Sequence, residues 1–226
     1  MKRLFSTTIA AATLLSAAAM AATPERVRGT VTAVTPDSVT VHTPAKDVTV
    51  GLTSNTHYLK VVKSSLTNVD KDSYIGTATK EVGGKLIALE VVIFPPAMKG
   101  TGEGHYGWDR IPDTTLAGSS GTTSSSMTNG TVSAVQANGA TANSTMTNGT
   151  VSSASSKAGA KQITVSYKGG DQTILVPPTA PIVSFEPNTM ADLVKGKVVF
   201  VSASNDDGKL TANAVAIGTE GAAPPM

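Results

Sequence analysis

Between residues 25 and 95 the apolar side chains recur at every second position, the period of half-buried strands. "RVRGTVTAV" sets Val27, Gly29, Val31 and Ala33 on one face, "SVTVHT" does so with Val39 and Val41, and "DVTVGL" with Val48, Val50 and Leu52. Pro36-Asp37 and Pro44-Ala45 fall between these runs, where a proline presets the turn dihedral and donates nothing to a ladder. "DSYIGTATKEVGGKLIALEVVIF" predicts a hairpin turning at Gly83-Gly84. A short helix is expected to start at Ser64 or Ser65, between the third and fourth strands.

The second half repeats that order. "KQITVSY" corresponds to "DSVTVHT", "GDQTILVPPTAPIVSF" to "AKDVTVGLTSNTHYLKV", and the run ending in Gly208-Lys209-Leu210 to the one containing Gly84-Lys85-Leu86. Blocks in one order at an offset of about 120 residues predict a tandem duplication of a unit of roughly 70 residues. Five strands with a short helix after the third give an all-β expectation: two small OB-like β-barrels, with small β-sandwiches or SH3-like barrels as the runner-up. The first domain is placed at 25–95, a Gly/Ser-rich linker at 96–143, the second domain at 144–220 and a tail at 221–226. "SSMTNGTVS" at Ser125 returns as "STMTNGTVS" at Ser144, and the second copy is expected to open the second unit because it lies closer to "KQITVSY".

Composition narrows the setting. Lys2 and Arg3 precede an apolar run from Leu4 to Ala19 and the triplet Ala19-Met20-Ala21, which reads as a signal peptide over 1–21 cut after Ala21. The expected compartment is the periplasm, with secretion as the alternative, and no later apolar run is long enough to span a bilayer as a helix. The chain has no cysteine, so disulfides and thiolate metal sites are excluded. Lys+Arg number 18 and Asp+Glu 16; without Lys2 and Arg3 the balance is 16 to 16. A neutral chain lacks the basic face that nucleic-acid binding needs, so no nucleic-acid partner is expected.

Candidate chemistry concentrates in "KGTGEGHYGWDR", Lys99 to Arg110, which holds the only tryptophan. Gly102 to Gly107 fits G-x-G-x-x-G, but no strand-to-helix turn surrounds it, so a dinucleotide reading fails. His105, Tyr106, Trp108 and Asp109 form a candidate ligand-contacting cluster; Glu103, His105 and Asp109 form a candidate divalent-cation set. The competing expectation is that Trp108 folds back onto a barrel as a staple. His42 and His57 have no ligand spacing around them, and no G-x-S-x-G elbow is present. "SNDDGK" reads as a hairpin turn rather than a calcium loop, and the sequons at Asn129, Asn143 and Asn148 are expected to be unmodified. No cofactor and no catalytic residue are assigned. The expectation is a non-enzymatic binding or accessory protein whose partner is an envelope protein or a small ligand, with metal handling and a structural envelope role as alternatives.

Taken together, "VRGTVTAV", "SLTNV", "IFPPAMKGTGEGHYGWD", "STMTNGTV" and "YKGGDQTILVPPTAPIVSF" resemble exported bacterial proteins built on an OB-like β-barrel domain of unknown function. The resemblance covers nearly all of the chain after the leader, with Ile93 to Asp109 its most specific part. It implies fold and export and no activity. The label "metal transporter permease" that such proteins sometimes carry is untenable as a description of mechanism, since no apolar run after the leader is long enough for a spanning helix.

Overall fold

The structure is a computed structural model that describes residues 23–115, 121–137 and 160–224; the expected signal peptide and the second "MTNGTVS" copy lie outside them. The described chain is all-β, with only three-residue 3-10 turns besides strands. The first half supplies β1 (Thr23–Thr35), β2 (Ser38–His42), β3 (Asp47–Gly51), β4 (His57–Lys63), β5 (Tyr74–Val82) and β6 (Lys85–Ile93). Then come β7 (Gly104–Gly107), β8 (Ile111–Pro112) and β9 (Thr122–Thr123). The second half supplies β10 (Ser126–Ala137), β11 (Lys161–Tyr167), β12 (Gly170–Val176), β13 (Ile182–Pro187), β14 (Val198–Asp206) and β15 (Lys209–Gly218).

The pairings close two five-stranded rings. One runs β1-β2-β3-β15-β14 and back to β1; the other runs β10-β11-β12-β6-β5 and back to β10. Each ring therefore takes three strands from one half of the chain and two from the other, so the spans 25–95 and 144–220 do not each close on themselves. The crossing is made by β4 and β13, which pair antiparallel in the middle of the sheet and which the five-strand expectation omits. Their continuation carries each chain half out of its own ring and into the other.

The halves correspond residue by residue. Val39 matches Ile163, Val61 matches Phe185 and Val91 matches Val215, each 124 residues apart, and Val61 pairs directly with Phe185. That pair sits on a pseudo-two-fold axis relating the rings. Only β1 and β10 differ in offset, Gly29 to Gly130 being 101, because the matched partners Ala134 and Thr164 lie 23 residues further apart in the chain than Ala33 and Thr40.

Local chemistry explains the register. A bulge between Val31 and Ala33 shifts the alternation, so Val34 packs toward the core and Ala33 is exposed, opposite to the simple period-2 reading. The same bulge recurs between Val132 and Ala134, turning Val135 inward. This selects the first "MTNGTVS" copy: "GTVSAV" carries Val135 where "GTVTAV" has Val34, whereas the second copy has Ala154 there. The first copy is β10, so much of the expected linker is strand. Gly83-Gly84, both with positive φ, turn the β5–β6 hairpin as expected, and Asp207-Gly208 do the same for β14–β15. The expected short helix is a 3-10 turn, Leu66–Asn68, matched by Met190–Asp192.

Valines and isoleucines fill each ring: Val31, Val39, Val41, Val50, Val201 and Val215 in one, Ile75, Val91, Val132, Ile163 and Ile174 in the other. Between them, on the axis, lies a third cluster of Leu59, Val61, Val92 and Val183 beneath Phe94, Phe185 and Phe200. The expected tail joins it, since Ala222 is buried there. Among the described residues no helix is long and apolar enough to cross a membrane.

Candidate functional site

The segment Lys99 to Asp113 is a strap between the rings. Its first part is β7, which pairs antiparallel with β10, Gly104 opposite Asn129 and Tyr106 opposite Met127. Trp108 donates its backbone N–H to the Ser125 carbonyl and the Ser125 hydroxyl donates to the Asp109 carbonyl, extending that pairing by one step. Beyond it, Ile111 and Trp108 pack on Ala78, Leu89 and Met127, capping the outer face of the second ring. Asp113 anchors the end: Lys80 donates to it at 2.6 Å, and both groups are almost fully buried. Burial would raise the Asp113 pKa, but donation from Lys80 and Thr115 outweighs it and the net direction is down.

The strap reaches the first ring through its middle. Arg26 of β1 grips Asp109 with Nε at 2.9 Å and Nη2 at 2.8 Å, and Arg28 adds Nη1 at 2.6 Å. The Arg26 guanidinium lies 4.1 Å from the Trp108 ring centroid, and that of Arg28 lies 4.9 Å from Phe200 and 5.9 Å from Trp108. The bidentate grip of Arg26, opposed by burial and helped by Arg28, draws the Asp109 pKa down to about 2. The hydrogen bonds that Arg26 donates to Asp109 in turn raise the pKa of Arg26. Two side-chain nitrogens of Arg28, Nε and Nη2, are buried without a hydrogen-bond partner among the described residues.

The residues singled out from sequence thus divide. Trp108 and Asp109 join the arginine cluster, and Tyr106 stands beside it, its ring 6.0 Å from that of Trp108. The Tyr106 hydroxyl donates to the Gly102 carbonyl and accepts from Asn129, and burial raises its pKa. His105 faces elsewhere: its Nδ1 is 2.8 Å from the buried Thr128 hydroxyl, and its ring stacks on Tyr167 at 6.4 Å. Glu103 accepts from the Lys168 backbone N–H. Glu103, His105 and Asp109 are not gathered into one place, and among the described residues no three His, Asp or Glu side chains converge to hold a metal. The G-x-G-x-x-G stretch forms β7, with no helix after it. Asn129 of the first sequon is buried on β10.

Arg26 and Arg28 escaped the sequence reading. Their signal was faint but present: "RVR" places two like charges at i and i+2, on one face of a strand, where repulsion calls for a counter-ion. A cleft of about 670 Å³ lies elsewhere, between Ile111, the Pro177–Pro181 connection and the Gly221–Pro224 tail, with Lys63 and Glu90 the charged groups among its described lining residues. No family model, curated protein or solved structure matches the chain.

Proposed function

We propose that the chain is a non-enzymatic binding module of the exported envelope, two OB-like barrels with exchanged strands, which takes a carboxylate-bearing ligand at the Arg26–Arg28–Trp108 cluster. The ring order supports the barrel reading, since strands one, two, three, five and four follow each other around each closure with the third and fifth parallel. One observation carries the ligand reading. Two guanidinium groups share a single carboxylate, and Arg28 keeps two N–H-bearing nitrogens without a partner among the described residues. An orphaned buried donor costs about 1–3 kcal/mol, which a second anion would recover. The Trp108 indole, with the Arg26 guanidinium over its ring, helps hold that cation in place.

The test is a titration of the purified chain with N-acetylglutamate and with citrate, following Trp108 emission, which is the only indole signal. A saturable change that is lost in Arg28→Met supports the reading. A flat titration with both probes overturns it.

A further inference from the structure

The pseudo-two-fold axis exposes an inequality between the rings. On β10, the stretch Ser126 to Asn129 has β5 on one side and β7 on the other. Its equivalent on β1, 101 residues earlier, is Glu25 to Arg28; this has β14 on one side, and β2 joins only at Thr30. The backbone N–H and C=O of Val31 point to Lys197 and Gly196 on the β14 side. By strand alternation those of Arg26 and Arg28 point the other way, out of the open edge. Among the described residues no backbone partner meets them. The glycines mark the same boundary on both strands. A Cβ on Gly29 would lie 1.9 Å from the His42 carbonyl oxygen, and one on Gly130 would lie 2.4 Å from that of Ser166. At each, the hairpin neighbour passes close and ends, and the next stretch of edge opens. On β10 that stretch is filled by β7; on β1 no described strand fills it.

We propose that this edge, Pro24 to Arg28, accepts an extended segment of a partner protein by antiparallel strand addition, and that this segment carries carboxylates at alternate positions. The fit has a template within the molecule: β7 shows that four residues can pair at the equivalent edge, with Gly104 and Tyr106 opposite the counterparts of Arg28 and Arg26. Pairing supplies main-chain hydrogen bonds, and side chains on one face supply selectivity. Residues opposite Arg26 and Arg28 project to the face where those guanidinium groups lie. There two cations face one carboxylate, Asp109, so the local charge that a partner meets is positive. The acidic component rests on the ligand reading above; the strand pairing stands independently of it.

The experiment titrates the purified chain with acetyl-Gly-Thr-Glu-Thr-Glu-Thr-Gly-amide, with the same peptide N-methylated at both Glu nitrogens, and with a version carrying Lys for Glu. Binding is read by calorimetry, and amide hydrogen exchange is followed at Arg26 and Arg28. The expected result is saturable binding of the parent peptide with slowed exchange at both amides. N-methylation weakens it at least tenfold, and the Lys peptide does not bind. Equal binding of parent and N-methylated peptides, or unchanged exchange at Arg26 and Arg28, overturns strand addition even where N-acetylglutamate binds. Binding of the Lys peptide as tight as the parent's overturns the acidic partner. If the parent peptide fails while N-acetylglutamate binds, the edge is not a docking site and only the small-anion reading stands.

Discussion

Asp109 is the residue on which the strap turns, and its environment fixes the sign of a pH effect. Its pKa is lowered to about 2 from an ordinary 3.8, so its contribution is present above the ordinary value and is lost as pH falls through about 2. Asp109→Asn removes the anion shared by Arg26 and Arg28 and should lower stability by about 1–2 kcal/mol at neutral pH, a figure kept modest by partial exposure. The check is the urea midpoint from pH 6 to pH 2: the gap between wild type and Asp109→Asn should close toward the acid end. A constant gap would mean that the ion pair contributes nothing beyond packing. Gly29 and Gly130 make a second residue-scale prediction. A side chain at either meets a backbone carbonyl oxygen that cannot swing aside. Gly29→Ala and Gly130→Ala should each cost about 2–4 kcal/mol in the same unfolding assay, whereas Gly107→Ala, with open space around its Cβ position, should be near neutral.

At the scale of elements, the end of the strap is anchored by the Lys80–Asp113 pair. Lys80→Met leaves the Asp113 carboxylate buried without its cation and should destabilise by about 3 kcal/mol. Adding Asp113→Asn to that variant removes the stranded charge while keeping an acceptor for Thr115, and should restore most of the loss; a chemical-denaturation cycle over the four proteins measures it. The strands of both hairpins were legible in the sequence because Val and Ile alternate cleanly there and Gly-Gly or Asp-Gly fixes the turn. β4 and β13 were not, because "HYLKVVK" and "IVSFEP" follow a proline or a polar turn and were absorbed into connections. Strand exchange was not legible either: the repeat is as consistent with two self-contained rings as with two shared ones. Of the candidate site, Trp108 and Asp109 could be found because rare residues stood together. Arg26 and Arg28 lie about 80 residues earlier in the chain, and only the fold brings them in.

For the whole molecule, the question is why the halves exchange strands when each could close on itself. The answer lies in two matched contacts at symmetry-related places. In the first ring Arg28 of β1 stands opposite Phe200 of β14, and in the second Asn129 of β10 stands opposite Gly76 of β5. The fits are complementary. Arg28 spreads over the Phe200 ring, while Asn129 Oδ1 already lies 2.4 Å from where a Cβ on Gly76 would sit. Closing each half on itself would pair β1 with β5 and β10 with β14. Arg28 would then face Gly76 with no aromatic to cover, and Asn129 would face Phe200, whose Cβ would require the Asn129 side chain to shift. These two crossings favour exchange over the alternative pairing. It follows that residues 23–115 and 121–224, made as separate chains, should each lack a cooperative urea transition. Mixed in equal amounts, they should recover one, with a single species by size exclusion at the mass of the pair. Cooperative unfolding of 23–115 alone would show that β1–β6 can close without partners, and would remove the matched contacts as the cause of exchange.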